Sequence, residues 1–158
     1  MSRNLSVHLF KDLKSKAAEL PATDYDNFSV FCKFEDKFFG DDVAQEFMRL
    51  INSVKSVSNS FSLDLRDNAF TDAHLRGLAK TISRQKDLKE LVLWLPNNYL
   101  TDDGVFELFK ALEDLKNLRV LIINLEWNFR ISNKSLQTLC KYLPAMSQLK
   151  TLRVLMSK

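Results

Sequence analysis

Glycine and proline are scarce in this chain of 158 residues, which contains three of each. The glycines, Gly40, Gly77 and Gly104, stand far apart, so no glycine-rich loop of the kind that cradles a phosphate is present. Long apolar runs are missing as well. None approaches the roughly 18 residues of a membrane span, and residues 1–20 lack the continuous apolar stretch of a secretory signal. We therefore expect neither a phosphate-binding loop of that type nor a membrane span.

Cysteine and histidine are also rare, with two of each. Cys32 and Cys140 have no neighbouring Cys or His with which to hold a metal ion or form a redox pair, so both are expected to be small core residues. His8 and His74 fall in predicted helices and offer little from which to build a catalytic group. We expect no catalytic residue, no metal ion and no cofactor, and we predict that the protein is not an enzyme.

Neither sign of charge dominates. The chain has 23 Lys and Arg against 20 Asp and Glu, a net charge of +3, and both signs are scattered along it. No extended field is present that would attract a polyanion, so nucleic-acid binding is not favoured. Adjacent carboxylates such as Asp102 and Asp103 precede predicted helices, where the helix dipole stabilises negative charge. These pairs therefore do not indicate a metal site.

An internal repeat is the strongest signal that is present. Asn68, Asn98 and Asn128 are equally spaced along the chain. Apolar residues occupy the positions seven, five and three residues before each asparagine: Phe61, Leu63 and Leu65, then Leu91, Leu93 and Leu95, then Leu121, Ile123 and Leu125. Alternation of this kind predicts a short strand with one buried face in each repeat.

A helical spacing follows each asparagine. The apolar positions are Leu75, Leu78, Ala79 and Ile82 in one copy, Val105, Leu108, Phe109 and Leu112 in the next, and Leu136, Leu139, Cys140 and Leu143 after one inserted residue near Arg130. Short polar residues suited to capping, such as Thr71 and Thr101, come just before each helix. Each repeat is thus predicted to be a strand, a turn, a helix and a return loop.

The two ends of the chain extend the pattern less clearly. Placing Lys37 in the asparagine position gives a degenerate first repeat with Val30, Cys32 and Phe34 in its strand, and residues 152–156 begin a further strand. Before residue 24 the leucines recur every four residues. They predict an amphipathic capping helix over residues 1–24, ahead of a repeat domain over residues 25–158. A mitochondrial transit helix is the alternative, with a cytoplasmic protein preferred.

The pattern carried by Leu91, Leu93, Leu95, Asn98 and Leu100 resembles the leucine-rich repeat. The long repeat unit, which includes a full helix, is similar to the ribonuclease-inhibitor-like subclass of that family. The resemblance implies an α/β solenoid, a short horseshoe arc with a parallel sheet on the concave face and helices on the convex face. It also implies that Asn68, Asn98 and Asn128 bind the turn backbone and form a ladder along the solenoid.

Trp94 and its neighbours then form a candidate binding surface, since strand residues that do not enter the core face the concavity. An apolar patch rimmed by charge is typical of a protein interface. The predicted partner-binding residues are Val92, Trp94, Pro96, Ile122, Trp127, Asp64, Arg66, Glu126 and Arg153. The alternatives are that the exposed tryptophan is incidental, or that the chain's own N-terminal segment covers this patch.

We therefore predict a protein-protein interaction module, a subunit or adaptor of a larger assembly, whose partner is another protein. The concave face and the exposed edge of the last strand are the two candidate contacts. One alternative is a regulatory binder or inhibitor of an enzyme. Another is a GTPase-activating protein, for which the irregular turn at Arg130 would have to supply the arginine.

Overall fold

The computed structural model describes residues 3–9, 24–32 and 41–157, with the side chains of residues 4–9 and 41–44 outside that description. The strands within these ranges are β1 (Asn4–Leu9), β2 (Asp24–Cys32), β3 (Ser56–Asp64), β4 (Glu90–Trp94), β5 (Val120–Asn124) and β6 (Thr151–Leu155). The helices are α1 (Asp41–Ser53), α2 (Asp72–Ser83), α3 (Asp102–Leu112) and α4 (Asn133–Tyr142), and a 3-10 turn spans Leu143–Ala145. None of the described helices is both long enough and apolar enough to span a bilayer.

The strands form one parallel sheet in chain order, from β1 to β6. Leu63 of β3 is aligned with Leu93 of β4, which is aligned with Ile123 of β5. This register reproduces the constant interval between the asparagines of the sequence. The architecture is the α/β leucine-rich-repeat solenoid that the sequence pattern predicts, with the sheet on one side and the helices on the other.

A continuous aliphatic core lies between the sheet and the helices. The inward strand residues are fully buried, as Leu91 and Leu93 of β4 show, while their neighbours Val92 and Trp94 are half-buried on the opposite face. Successive helices bury equivalent positions, and Leu75 of α2 corresponds to Val105 of α3. One strand and helix cannot enclose this apolar surface alone, so stacking of repeats is what buries it.

The three repeat asparagines are buried in one row, as predicted. The Asn98 side chain donates from Nδ2 to the carbonyl oxygens of Leu65 and Leu95 at 2.9 and 3.0 Å, and its Oδ1 accepts from the amides of Asn68 and Phe70. Asn128 makes the same donor contacts to the next pair of turns. Each asparagine thus joins its own turn to the preceding one and satisfies backbone groups that are buried from water.

The prediction of an N-terminal helix is wrong for the part of residues 1–24 that forms β1. Asn4–Leu9 is a strand that pairs in parallel with β2, with Leu5 aligned with Phe28 and Leu9 with Cys32. Leu5, Val7 and Leu9 alternate with polar residues, a period of two that competes with the four-residue recurrence of leucine. The open edge of β2 supplies the pairing partner that favours a strand. The rest of the predicted helix, residues 10–23, lies outside the described residues.

The first repeat is registered two residues earlier than predicted. Phe28 is aligned with Phe61, and the Asn68 side chain donates to the Cys32 carbonyl, which puts the asparagine position two residues before Lys37. Lys37 itself lies outside the described residues. Because side chains alternate with a period of two, a shift of two residues keeps the same side chains on the buried face.

The two cysteines differ in burial. Cys32 is fully buried, and burial, with Asp64 nearby, raises the pKa of its thiol to about 12, so it is an un-ionised core residue as expected. Cys140 is exposed, contrary to expectation, and Leu136 on the same helix is 51% exposed. The inserted residue near Arg130 is confirmed, since α4 begins five residues after Asn128 whereas α3 begins four after Asn98. Leu136 and Cys140 therefore hold the positions that correspond to Val105 and Phe109 of α3, which are buried.

Candidate functional site

Three rows of side chains cross the solvent face of the sheet, which is the face opposite the helices. The strand register aligns Ser29, Ser62, Val92, Ile122 and Arg153 in one row and Phe31, Asp64, Trp94, Asn124 and Leu155 in the next. Backbone hydrogen bonds continue past the strand ends, where Arg66, Pro96, Glu126 and Ser157 make a third row. The structure thus brings the predicted strand residues onto one face, about 4.8 Å apart from strand to strand.

A cleft of about 470 Å³ opens where the second and third rows meet the turns that follow the strands. Its lining is Arg66, Asp67, Trp94, Pro96, Asn97, Asn124, Glu126 and Trp127, and we call it the tryptophan cleft. Five of the nine predicted binding residues line it. Val92, Ile122, Asp64 and Arg153 lie beside it on the same face and do not line it.

One wall of the cleft is formed by Arg66 and Trp94, and Asp64, beside the cleft, binds Arg66. The Arg66 guanidinium donates to both carboxylate oxygens of Asp64, at 2.9 Å from Nε and 2.6 Å from Nη2, and its Cζ lies 5.7 Å from the centre of the Trp94 ring. These hydrogen bonds with Asp64 raise the pKa of Arg66. The contact with Trp94 combines a fixed positive charge with an aromatic face.

The opposite wall contains a fixed carboxylate. Glu126 accepts hydrogen bonds from the Ser157 hydroxyl and from Asn124 Nδ2, and these lower its pKa, with Arg153 contributing a smaller electrostatic effect. The Glu126 side chain is therefore ionised at neutral pH and held in one orientation. Asn124, which is buried, was not among the predicted site residues although it positions this carboxylate.

Trp127 is held in an unusual backbone conformation at the rim of the cleft. Its φ is 60°, in the left-handed region, and its side chain is 52% exposed. Asp67 and Asn97 precede their ladder asparagines in the same way and have φ values of 60° and 53°. Short polar residues tolerate this conformation, whereas a bulky side chain there is an outlier. A tryptophan at this position is thus kept at a cost in backbone strain.

Two further exposed aromatic residues stand on the neighbouring turns, and the sequence analysis missed them as site residues. Tyr99 is 68% exposed and Phe129 is 63% exposed, and the Phe129 ring lies 6.3 Å from the Trp127 ring in an edge-on arrangement. Each directly follows a repeat asparagine, Asn98 or Asn128, and this position in the repeat is the sequence signal that could have identified them. Trp127 and Phe129 thus form an exposed aromatic pair beside the tryptophan cleft, and Tyr99 is exposed on the preceding turn.

His74 and Asp102, which were weighed as catalytic and metal-binding residues, make structural hydrogen bonds. His74 Nδ1 accepts from the Thr71 amide at 3.1 Å and so caps α2. Asp102, beside Asp103, accepts hydrogen bonds from Ser132 and Ser135 of the following repeat. Arg130 is exposed in the turn between β5 and α4. Among the side chains that the structure describes, no three His, Cys, Asp or Glu residues are grouped as metal ligands would be.

A second depression of about 380 Å³ lies on the helical side, between α2 and α3. Both signs of charge line it, with Arg76, Lys80 and Lys110 facing Glu107 and Glu113. Mixed charge of this kind is typical of a solvated helical surface. It lacks the aromatic anchors of the tryptophan cleft.

Solved structures with a similar fold include the following two. The tropomodulin C-terminal domain of Caenorhabditis elegans matches with a TM-score of 0.67 and 19% sequence identity, over 94% of this chain and 84% of that chain. Leiomodin-1 actin-binding site 2 matches with a TM-score of 0.58 and 18% identity, over 90% of this chain and 76% of that chain. No model of a protein family and no curated protein sequence matches this chain. At such low identity the likeness supports the leucine-rich-repeat fold alone.

Proposed function

We propose that this leucine-rich-repeat protein is a non-catalytic protein-interaction module that binds its partner through the solvent face of the sheet. The tryptophan cleft would lie at the centre of the contact. The observation that carries the proposal is the exposed and half-buried apolar surface of Trp94, Pro96 and Trp127, bordered by charged side chains. Interfaces concentrate their binding energy in aromatic and arginine residues of this kind.

The hydrogen bonding of the cleft supports the same proposal. Arg66 and Glu126 are each fixed by neighbouring side chains, and Trp94 is held beneath the Arg66 guanidinium. Side chains that are ordered before binding lose less conformational entropy when a partner docks. Such preorganisation favours a recognition surface over an ordinary solvated face.

We propose that the protein is an adaptor or a subunit of a larger cytoplasmic assembly, with the exposed edge near Leu152 as a second contact. Regulation of an enzyme by binding through the same face is the alternative role. The long repeat unit, in which each strand is followed by a full helix, favours the ribonuclease-inhibitor-like subclass.

Actin is the first partner to test, because the leiomodin-1 domain with a similar fold is an actin-binding site. Cosedimentation of the purified chain with filamentous actin gives the direct measurement. In parallel, native affinity purification with mass spectrometry identifies other partners, which are then purified for binding measurements.

Replacing Trp94 by Ala tests whether the cleft carries the binding. We expect the affinity for the identified partner to fall by about 2 kcal/mol or more if Trp94 is an interface anchor. The matched control is Lys80→Ala on the helical side, which should leave affinity unchanged. Equal affinity of the Trp94 variant and the original chain, with both folded by circular dichroism, would contradict the proposal.

A further inference from the structure

Among the side chains that the structure describes, negative charge is in excess around the tryptophan cleft. Asp67 and Glu126 line it, and Asp64 lies beside it, whereas Arg66 and Arg153 supply the positive charges nearby. The Arg66 guanidinium is already bound by both oxygens of Asp64. The two negative charges of Asp67 and Glu126 therefore outnumber the single positive charge that Arg153 contributes near Glu126. An anionic group entering the cleft would be repelled, and a cationic group would be attracted.

The chain itself shows what this environment binds. On one wall a guanidinium, that of Arg66, lies between the carboxylate of Asp64 and the ring of Trp94. On the other side the same two kinds of group are present, the carboxylate of Glu126 and the ring of Trp127, and the Asp67 carboxylate lies on the turn that follows Arg66. The described side chains place no cation against the Trp127 ring, whose contact is the edge-on one with Phe129.

The row of turn residues sets the spacing of this second arrangement. Asn97 stands between Asp67 and Trp127, and it donates from Nδ2 to the Asp67 carboxylate at 2.6 Å and from its amide to the Glu126 carbonyl at 2.9 Å. Adjacent repeats are about 4.8 Å apart, so Asp67 and Trp127 are separated by about 10 Å. That separation accommodates the end of one long side chain between a carboxylate and an aromatic ring.

We infer that the tryptophan cleft takes a lysine or arginine side chain from the partner protein, with its cationic end against the Trp127 ring and the carboxylates of Asp67 and Glu126. This inference rests on the proposed protein-binding function and adds the chemistry of the anchor residue. Cations bound between aromatic faces and carboxylates gain from both interactions when water is excluded.

The test uses acetylated and amidated pentapeptides of sequence Gly-Gly-Xaa-Gly-Gly, with arginine, lysine, citrulline or glutamate at the centre. The chain has two tryptophans, so a ¹⁵N-labelled sample gives two indole N–H signals, which the variants Trp94→Phe and Trp127→Phe assign. We expect the arginine or lysine peptide to shift the Trp127 signal saturably. Citrulline, which is the neutral isostere of arginine, and glutamate should not shift it.

Charge-neutral variants test the carboxylates separately. Glu126→Gln and Asp67→Asn keep the size of each side chain, and each should weaken cationic peptide binding by about two- to fivefold, the range for an exposed ion pair. Glu113→Gln, an exposed carboxylate at the end of α3, is the matched control and should have no effect. Binding should also weaken as salt is raised, because exposed charges are screened.

The outcomes separate this inference from the proposed function. Equal shifts with the citrulline and arginine peptides, or no shift of the Trp127 signal with either cationic peptide, would overturn the cationic anchor. If the identified partner still loses affinity with Trp94→Ala in that case, the protein-binding function stands and the anchor is apolar. If partner affinity is also unaffected, both proposals fail together.

Discussion

Trp127 shows at the scale of a single residue how a binding surface conflicts with local stability. Its left-handed backbone, with φ at 60°, suits the Asp and Asn found at the equivalent positions of the two preceding repeats. A non-glycine residue in a sparsely populated backbone region costs of the order of 1–3 kcal/mol. The exposed indole provides no core packing to offset that cost, so a role in binding gives the position a physical reason.

Replacing Trp127 by Asn should therefore stabilise the fold while weakening partner binding. We expect the free energy of unfolding to rise by about 1 kcal/mol, because Asn accepts the left-handed conformation with little strain. Urea denaturation measures the change. The control is Phe129→Asn, which removes a neighbouring exposed ring from a residue without a positive φ and should give no stabilisation. A Trp127 variant no more stable than the original chain would show that the tryptophan backbone is unstrained.

The helix N-termini show how one repeat is attached to the next. The Asp72 carboxylate of α2 accepts from the amide and hydroxyl of Thr101, and the Asp102 carboxylate of α3 accepts from Ser132 in the same way. This second ladder runs parallel to the asparagine ladder at the start of each helix. It leaves little space, since a Cβ added to Gly104 would lie 2.2 Å from Asp72 Oδ1 and 3.0 Å from the Asp72 Cα.

Gly104→Ala should destabilise the protein even though alanine favours helices. The new methyl group displaces the Asp72 carboxylate from Thr101 and also meets backbone, and we expect a loss of about 1–3 kcal/mol, as for overpacking. Gly77→Ala is the matched control. Its added Cβ would approach the terminal methyl of Met48, a flexible group that can move, so stability should be unchanged or should rise by up to about 1 kcal/mol. Thermal unfolding measures the stability of both variants. A Gly104→Ala variant more stable than Gly77→Ala would contradict the close packing of Gly104 against Asp72.

The Asp102 carboxylate should make stability depend on pH. Its burial acts to raise the pKa, but the hydrogen bonds from Ser132 and Ser135 outweigh that effect, so the pKa lies below the ordinary value of 3.8. A lowered pKa in the folded state means that the stabilisation is present above the unfolded value and is lost as pH falls through the folded value. The difference in unfolding free energy between the original chain and Asp102→Asn should be constant at neutral pH and should shrink below about pH 4. A difference that does not vary between neutral pH and the acid range would contradict this role.

The whole molecule behaves as a short array in which each repeat is stabilised by its neighbours. Leu93 lies at its centre, fully buried and aligned with Leu63 and Ile123 on the adjacent strands. Leu93→Ala should lower the free energy of unfolding by about 2–5 kcal/mol through the cavity it leaves. The adjacent Val92→Ala, on the solvent face, should cost less than about 1 kcal/mol. Urea denaturation measures both free energies of unfolding. Similar decreases for the two variants would show that the two faces of β4 do not differ in burial.

Alternation and repetition along the chain were enough to determine the fold and its buried face. The residues at seven, five and three positions before Asn68, Asn98 and Asn128 are buried as predicted, because burial on one side of a strand imposes a period of two. The same local reasoning placed Trp94 and Glu126 on the solvent face.

Tertiary structure alone decided which of these residues meet, and which pattern prevails where two compete. Asp67, Asn97 and Trp127 belong to three different repeats, and their shared row, their positive φ values and the tryptophan cleft follow from stacking of turns. The apolar residues among residues 4–9 fit both a period of two and a period of four. The strand forms because the hydrogen-bonding edge of β2 is available to pair with it. Local periodicity reports how much of a side chain is buried, whereas contacts between repeats depend on groups that lie far away along the chain.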